Sequence, residues 1–278
     1  MRTVSVSVMG GLGNQLFIIF ATLGYAIENN YMFVFDDSPL VGPRKKTYWY
    51  SFLKPLDIFC NTSLQPNIIY REPSFKYSKI PIFQNNQDFH MAGYFQSYKY
   101  FEKHRNQIFE LIELDQQQKL VAAKISIKHD FNRTISLHFR LGDYKNLPQF
   151  HPVLSLSYYK TALKSIQSLD EDKSWTVLYF CEYEDIAEVS VKVNELKEEF
   201  PLMTFERFHE EHLDDWEEML AMSLCRHHII ANSTFSFFGA YFGAPAVDTQ
   251  VYYPSQWFGP ALSGHDTSDI CPSNWIKI

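Results

Sequence analysis

Three short segments of the sequence carry residue types that could bind an anionic ligand and move a proton. They are Gly10–Gln15, His138–Tyr144 and Asn232–Ala240. Each follows an apolar or alternating run that is typical of a β-strand, and the first and third lead into patterns typical of a helix. Ligands of open α/β sheets bind beyond the carboxyl ends of the strands, so these segments are the candidate ligand-binding positions.

The first segment contains the pattern Gly11-x-Gly13 between a strand and a helix. Such a turn lets backbone N–H groups and the positive end of the helix face an anion. A dinucleotide-binding turn would need a third glycine where Leu16 stands, although Asp36 lies near the position that binds a ribose hydroxyl in such folds. A tight turn without a ligand is the alternative interpretation.

The second segment places Arg140 just beyond a predicted strand at 134–139. A planar guanidinium can grip a phosphate with two parallel hydrogen bonds. Asp143 could orient Arg140, cap the turn or take a proton, and a structural ion pair accounts equally well for Arg140 alone. His138 alone is more often a hydrogen-bonded core residue than a catalyst.

The third segment begins with small polar residues at the start of a predicted helix, namely Asn232, Ser233, Thr234 and Ser236. Their hydroxyls and amides can cap the helix, and together with the helix N-terminus they can bind a phosphate. A cap without a ligand is the alternative interpretation.

Net charge and the remaining polar clusters exclude several classes of protein. The 278 residues include 25 basic and 32 acidic side chains, and the net charge of −7 argues against a general nucleic-acid or anionic-membrane binder. His209 and His212 stand three residues apart, whereas the zinc-protease helix spaces its histidines by four. Because no Asp-x-Asp pair follows a predicted strand, the sequence predicts no metal site.

The elements that must position these segments alternate between strands and helices in two series. The first series has strands at 3–9 and 31–35 around a helix that includes 16–27, then an irregular stretch over 38–95 with a strand-like piece at 80–83, and a long helical stretch over 97–127. The second series has strands at 134–139, 175–181, 203–207, 228–231 and 246–253, with helices near 156–169 and 184–199 and others starting at 214 and 234. Such alternation predicts parallel sheets, with a domain boundary in the polar stretch 128–133.

Taken together, the motifs resemble the α-1,2-fucosyltransferases of glycosyltransferase family 11. The similar segments follow in order along nearly the whole chain: Met9–Phe17, Gly93–Phe101, His138–Tyr144, Asp215–Cys225, Asn232–Ala240, and Tyr253–Phe258 with Pro272–Ile276. The segment at 138–144 fits the family's H-x-R-R-x-D-Y motif except that Leu141 replaces the second arginine.

The resemblance implies an α/β fold of the GT-B type, with two facing Rossmann-like domains that contain parallel sheets. Residues 1–130 would form the acceptor-side domain, and residues 131–278 the GDP-binding domain, with the last residues packing back on the first domain. The implied reaction is inverting transfer of L-fucose from GDP-fucose to a glycan hydroxyl, with the 2-hydroxyl of a galactose residue as the expected acceptor. No metal and no other cofactor is implied.

The resemblance also assigns roles to single residues. Catalytic roles fall to His138, Arg140 and Asp143, of which Asp143 is a candidate general base. Donor-binding roles fall to Gly11, Gly13, Asn14, Arg140, Glu182, Asn232, Ser233, Thr234 and Ser236. Without Mg²⁺, Arg140 and the polar groups of the third segment would meet the negative charge that builds on the leaving β-phosphate.

Two departures from the family pattern bear on the donor. Leu141 removes one cation, so we expect transfer from GDP-fucose to be slower than in relatives with both arginines, or a different GDP-deoxyhexose such as GDP-rhamnose to be the donor. Cys181-Glu182-Tyr183 stands where the family has a Ser-Asp-Asp stretch, and Glu182 could still accept hydrogen bonds from guanine N1 and N2.

Functions of two other classes are alternatives. An NAD(P)-dependent oxidoreductase would use the first βαβ unit, and a sugar-binding protein would have lost catalysis. The first motif begins so close to Met1 that we expect neither a membrane anchor nor a signal peptide, and hence a cytoplasmic enzyme of bacterial type or a viral one in its host's cytoplasm. The expected partners are a GDP-sugar and a glycan, without nucleic acid or a membrane span.

Overall fold

The structure is a computed structural model that describes residues 2–38, 46–61, 66, 68–83, 87–125, 129–169, 174–243 and 248–278. The chain divides into two compact units. The N-terminal unit comprises Met1–Gln117 and His265–Pro272, and the C-terminal unit comprises Gln118–Gly264 and Ser273–Ile278. The domain ranges 1–130 and 131–278 differ from this division and stay predictions. Residues 265–272 belong with the N-terminal unit.

The N-terminal unit contains a parallel four-stranded sheet. Its strands are β1 (Thr3–Ser7), β2 (Met32–Asp36), β3 (Ile68–Arg71) and β4 (Phe89–Ala92), and its helices are α1 (Leu12–Asn29) and α2 (Arg105–Leu111). The chain passes to the second unit within α3 (Leu114–Lys124). The strand order is β2-β1-β4-β3 with parallel pairing throughout. The connections from β1 to β2 and from β3 to β4 run in the same direction along the sheet, and the long connection from β2 to β3 runs in the opposite direction.

One face of this sheet is apolar and forms the core of the N-terminal unit. Strand register places Val4, Val6, Phe35 and Phe89 on this face, and all four are fully buried. Helix α1 covers this face, and the ring of its Tyr25 packs edge-on against Phe89 with the centroids 5.2 Å apart. Most of α1 is buried, because its residues are apolar on nearly every side.

The C-terminal unit contains a parallel six-stranded sheet. Its strands are β5 (Thr134–His138), β6 (Thr176–Phe180), β7 (Thr204–Arg207), β8 (His227–Ile229), β9 (Val251–Tyr253) and β10 (Ile276–Lys277), and its helices are α4 (Leu156–Gln167), α5 (Ile186–Glu199), α6 (Asp215–Ser223) and α7 (Thr234–Tyr241). The order β10-β9-β8-β5-β6-β7 is that of a Rossmann sheet, with the topological switch point between β5 and β8.

Several elements match the sequence analysis. The predicted start of α6 is confirmed, since Asp214 caps the helix and Glu217 completes a capping box. The strands β1, β2, β5, β6, β7 and β8 and the helices α1, α4, α5 and α7 lie where periodicity predicts them, with ends that differ by a few residues. Of the strand predicted at 246–253, residues 251–253 form β9, and residues 246 and 247 lie outside the described residues.

Other expectations were wrong. The stretch 38–95 contributes β3 and β4 to the sheet, whereas the strand-like piece at 80–83 is irregular. The helix expected over 97–127 is broken into short 3₁₀ turns, α2 and α3, and residues 126 and 127 lie outside the described part. Glu113 adopts a left-handed φ of 53°, which ends α2 before α3 begins.

Candidate active site

The carboxyl ends of β5, β6 and β8 carry the polar residues that the sequence singles out in the C-terminal unit. His138 is the last residue of β5, Glu182 follows β6, and Asn232 follows β8. Strand β5 pairs with both β6 and β8, so these ends are neighbours. The edge lies at the switch point of the sheet, where α/β proteins bind their ligands.

Arg140 places a positive charge at this edge. Its two terminal guanidinium nitrogens donate to different carboxylates, one to Glu182 and the other to Asp143. The guanidinium also lies over the ring of Tyr144, 5.0 Å from its centroid. Because the Arg140 side chain is only 12% exposed while Asp143 and Glu182 are almost half exposed, a bound anion could displace a carboxylate into water without moving the arginine.

A buried carboxylate, Asp185, holds the turn that contains Arg140. It accepts hydrogen bonds from the backbone N–H of Gly142, at 2.7 Å, and from the ammonium of Lys145, at 2.6 Å. Gly142 has a left-handed φ of 35°, and a side chain there would run into Glu182. Asp185 was missed in the sequence, where its place at the start of α5 indicates only a helix cap.

His138 is buried and electrically neutral. Burial and the nearby positive charge of Arg140 lower its pKa to about 3. Its backbone carbonyl accepts a hydrogen bond from the Tyr159 hydroxyl at 3.1 Å, while the ring nitrogen Nδ1 has no partner among the described residues. A neutral imidazole at this position can hydrogen-bond a ligand but carries no proton for acid catalysis near pH 7.

Asn232 joins the end of β8 to two neighbouring loops. Its amide nitrogen donates to the carbonyls of Pro152, at 3.0 Å, and Trp257, at 3.1 Å, and its own carbonyl accepts from the Tyr144 hydroxyl at 3.0 Å. Its Oδ1 is buried and has no hydrogen-bond partner in the described part of the chain. Thus two buried polar atoms without described partners, on His138 and Asn232, flank the switch point.

The start of α7 has the residues predicted for it, and two of their roles are now visible. Ser233 is the N-cap residue, with extended backbone and no capping hydrogen bond from its side chain. The Ser236 hydroxyl accepts from the N–H of Ala231 at 3.2 Å and donates to the carbonyl of Ser233 at 3.3 Å. Ser236 therefore shapes the turn between β8 and α7, whose first helical residue is Thr234.

The glycine-rich segment forms the turn between β1 and α1 in the N-terminal unit. Gly10 has φ of 76°, and a Cβ there would approach the Asn14 amide nitrogen to 2.6 Å. Gly11 caps α1, so Gly13 and Asn14 lie in its first turn. The Oδ1 of Asn14 accepts from the side-chain amide of Gln96 at 2.9 Å, which links this turn to the loop after β4. The two loops are neighbours at the carboxyl edge of the sheet, because β1 pairs with β4.

The side chain of Leu141 lies in the apolar core and not among the polar residues of the site. Its side chain is 1% exposed and packs in the apolar core of the C-terminal unit, with Phe139 and Tyr159 among the residues of that cluster. The interpretation that Leu141 merely removes a cation from the donor site is therefore incomplete. In this chain the position after Arg140 is a core position, and a charged side chain there would have to leave it.

Glu218 is a further carboxyl group that sequence patterns did not single out. Burial and the neighbouring Asp215 raise its pKa to about 7, although Arg207 opposes the shift. Its charge acts on Cys181, the residue after β6, so the group lies near the same edge of the sheet. Among the described residues no group of three or more His, Cys, Asp or Glu side chains could hold a metal ion.

Helices long and apolar enough to cross a membrane are absent from the part of the chain that the structure describes.

Two parallel sheets, one of them with a switch point and a largely enclosed arginine at its carboxyl edge, define an α/β protein of the Rossmann-like class. The model of glycosyl transferase family 11 matches residues 61–276. The chain belongs to this family and is a glycosyltransferase of the GT-B fold class, built from two Rossmann-like units with parallel sheets.

Two curated relatives and one solved structure are similar to the chain. The O-antigen biosynthesis glycosyltransferase WbnK of Escherichia coli is 28% identical over 203 residues, which cover 68% of this chain and 60% of that protein's length. The alpha-1,2-colitosyltransferase of Escherichia coli is 26% identical over an alignment of 307 residues, covering 100% of this chain and 99% of that protein. A solved structure of a mutant of Arabidopsis thaliana FUT1 in complex with GDP has a TM-score of 0.51 at 12% identity, covering 99% of this chain and 76% of that chain.

Proposed function

We propose that this glycosyltransferase moves L-fucose from GDP-fucose to a glycan hydroxyl, with inversion at the anomeric carbon and without a metal ion. The expected acceptor is the 2-hydroxyl of a galactose residue, which gives an α-1,2 linkage. The linkage is supported by the similarity to a relative named alpha-1,2-colitosyltransferase. The GDP donor is supported by the similar fold of a protein solved with GDP.

The observation that carries the proposal is the position of Arg140 at the switch point of the C-terminal sheet. Its guanidinium group lies at the edge formed by β5 and β6, and α7 starts after the neighbouring strand β8. The partnerless Nδ1 of His138 and Oδ1 of Asn232 lie at the same edge. A buried polar atom left unpaired costs about 1–3 kcal/mol, so a bound nucleotide that pairs with these atoms would recover that free energy.

Departure of GDP from the donor requires positive charge near the β-phosphate more than it requires a proton donor. When the acceptor oxygen bonds to the anomeric carbon, the bond to the β-phosphate breaks and its electron pair leaves with GDP. Arg140 would stabilise this charge, helped by the positive end of the α7 dipole at Ser233 and Thr234. Asp143 would hold the guanidinium in place. Gly11, Gly13 and Asn14 would supply the donor contacts of the N-terminal unit.

A second candidate donor is another GDP-activated deoxyhexose. The relative named for colitosyl transfer favours this alternative, since its name assigns it a sugar other than fucose. GDP-rhamnose belongs to the same class of donor. No observation favours an oxidoreductase, because the matching family transfers sugars.

Binding and turnover would test the proposal in two steps. Calorimetry with GDP, UDP and NADH should show binding of GDP alone. A donor screen with GDP-fucose, GDP-colitose and GDP-rhamnose, with lactose as the acceptor and a chelator present, should then give product from GDP-fucose. Tight binding of UDP or NADH would contradict the nucleotide assignment. Activity that disappears in chelator and returns with Mn²⁺ or Mg²⁺ would contradict the metal-independent mechanism.

A further inference from the structure

The loop between β5 and α4 carries exposed apolar side chains close in sequence to Arg140. Residues 145–150 of this loop are all exposed, and Leu147 and Phe150 are 41% and 44% exposed. The exposed stretch begins two residues after Asp143, whose carboxylate accepts a hydrogen bond from Arg140. Exposed apolar residues that lie together beside polar groups are typical of ligand-binding surfaces.

The backbone of this loop is fixed by hydrogen bonds. The carbonyl of Leu147 accepts from the N–H groups of Phe150, at 2.9 Å, and His151, at 2.8 Å, which closes a tight turn. The carbonyl of Phe150 accepts from the N–H of Gly259 at 2.8 Å. A side chain at Gly259 would run into the carbonyl of Gln149, so glycine permits the close approach of these two segments. Because the backbone is already ordered, a ligand that binds Leu147 and Phe150 loses little free energy to ordering of the loop.

A stack of three side chains connects the loop to Arg140. The guanidinium of Arg140 lies over the ring of Tyr144, 5.0 Å from its centroid. The Tyr144 ring is stacked on the ring of His151, with the centroids 4.7 Å apart and the planes inclined by 19°. The carbonyl of the next residue, Pro152, accepts from the side-chain amide of Asn232 at 3.0 Å. Both ends of the loop are therefore held at the carboxyl edge of the C-terminal sheet, and the loop has a fixed position relative to Arg140.

The chemistry of the exposed side chains suits the face of a sugar ring. A pyranose carries its hydroxyl groups around the rim, and the C–H groups of one face form an apolar surface. An aromatic ring such as that of Phe150 offers a large, rigid apolar area to such a surface. Asn146 and Gln149, exposed on the same loop, carry amides that can donate to hydroxyl groups and accept from them. Leu147 and Phe150 cannot serve a diphosphate, which requires cations or N–H donors.

We propose that Leu147 and Phe150 bind the acceptor glycan, with the ring of Phe150 packed on the C–H face of one sugar ring. We call these two residues the acceptor platform. The proposal deepens the proposed function and rests on it, because Arg140 would hold the β-phosphate of the donor.

The position of the acceptor platform fits this role. The acceptor hydroxyl must reach the anomeric carbon that is bonded to the β-phosphate, so the acceptor binds beside the group that holds this phosphate. The stack of Arg140, Tyr144 and His151 links that group to the loop within the C-terminal unit. One unit of the chain therefore carries both a cation for the donor and an apolar surface for the acceptor.

The test compares Phe150→Ala with Leu202→Ala. Leu202 is a matched control, since it is 62% exposed and precedes β7 at the amino edge of the same sheet. With GDP-fucose as donor, we expect Phe150→Ala to raise the KM for lactose about tenfold and to weaken the saturation-transfer NMR signal of lactose. Its Kd for GDP and its midpoint of unfolding in urea should equal those of the wild type. Leu202→Ala should keep the wild-type value of every one of these quantities.

Conservative variants separate packing on a ring from a general loss of apolar area. Phe150→Tyr keeps the ring, so its KM for lactose should stay within about twofold of the wild-type value, whereas Phe150→Leu should raise this KM about fivefold. Leu147→Ala should raise it about threefold, because a smaller apolar area is removed.

Three results would overturn the proposal. They are a KM for lactose in Phe150→Ala equal to that of Leu202→Ala, a wild type without a lactose signal, and a KM in Phe150→Leu equal to that of Phe150→Tyr. Loss of binding to phosphatidylglycerol vesicles in Phe150→Ala, with an unchanged KM for lactose, would assign the two residues to a lipid surface instead. A wild type that binds no GDP would overturn the proposed function, and the lactose signals of the wild type and Phe150→Ala would still report on the acceptor platform.

Discussion

A guanidinium N–H of Arg140 donates to the carboxylate of Glu182, which connects the loop after β5 to the turn after β6. The same arginine holds Asp143, so two negative charges surround one positive charge before any ligand binds. A diphosphate must therefore compete with carboxylates for the fork. Glu182 has the wrong charge to remain beside a bound phosphate, and its 45% exposure lets it swing into water.

Replacing Glu182 by glutamine should therefore strengthen GDP binding. Removal of one negative charge near the diphosphate is worth about 1 kcal/mol at this exposure, or about a fivefold lower Kd. Calorimetry with GDP measures the change, and Glu184→Gln, on an exposed residue of the same turn, is the matched control. If Glu182 instead binds guanine, its variant will lose affinity for GDP and will no longer distinguish GDP from inosine diphosphate, which lacks the 2-amino group.

We expect that lysine at position 140 cannot preserve the activity of the enzyme. The guanidinium serves two carboxylates with separate nitrogens and stacks on Tyr144, and a single ammonium cannot reproduce that geometry. We expect Arg140→Lys to lower kcat/KM about a hundredfold or more, close to the loss in Arg140→Ala. Arg133→Lys, at the exposed amino end of β5, should leave kcat/KM within twofold. A near-normal rate in Arg140→Lys would show that charge alone matters at this position.

The substitution Leu141→Arg, which restores the family's second arginine, should destabilise this protein. Because Leu141 is 1% exposed within the core, Leu141→Arg would bury an unpaired charge or displace the turn that carries Arg140. We expect the free energy of unfolding to fall by about 3 kcal/mol or more in urea titrations, whereas Leu141→Met should change it by less than about 1.5 kcal/mol. A stable, faster Leu141→Arg variant would instead favour the expectation that the missing cation limits the rate.

Buried histidines should make the protein unstable in mild acid. Burial lowers the pKa of His138 and His228 to about 3 and that of His227 to about 4, each with help from a nearby cation or imidazole. Between these values and the unfolded value of about 6.5, the unfolded chain binds more protons, so stability is lost as the pH falls.

Each such histidine should contribute a slope of about 1.4 kcal/mol per pH unit in that window. Urea unfolding at pH 4.5, 5.5 and 6.5 measures the slope, and His228→Gln should reduce it. Equal slopes in the wild type and in His228→Gln would show that this imidazole is already protonated in the folded state.

Sequence patterns located the strand ends of the site because those patterns are local. Alternation in β1 and β5 and the capping box before α6 depend on neighbouring residues, and all three are present. Strands β3 and β4 have only four residues each, and Ile69 and Arg71 of β3 are exposed at the sheet edge, so no clear period marks them. Tertiary context, not propensity, decides such short strands.

Interactions between distant residues could not be predicted in the same way. Asp185 holds Gly142, and Gln96 reaches Asn14, across separations that no motif records. The burial of Leu141 was equally hidden, since the family motif places a cation there. The contacts of Ser5 and Ser7 with His90 are visible in the sequence only as alternating serines in β1, because they depend on the register of β1 with β4.

Because the chain returns to the N-terminal unit after most of the C-terminal unit, the protein cannot be divided into two folded fragments by a single cut. The segment 265–272 follows most of the C-terminal unit in sequence, yet its Asp269 accepts from Ser97 and Tyr77 and pairs with Lys99, all in the N-terminal unit. A single cut between Gln117 and Gln118 would therefore leave the first fragment without a part of its own structure. Exchange of either half between relatives as one contiguous segment should therefore fail, whereas a chimaera that carries residues 265–272 with the first half should fold.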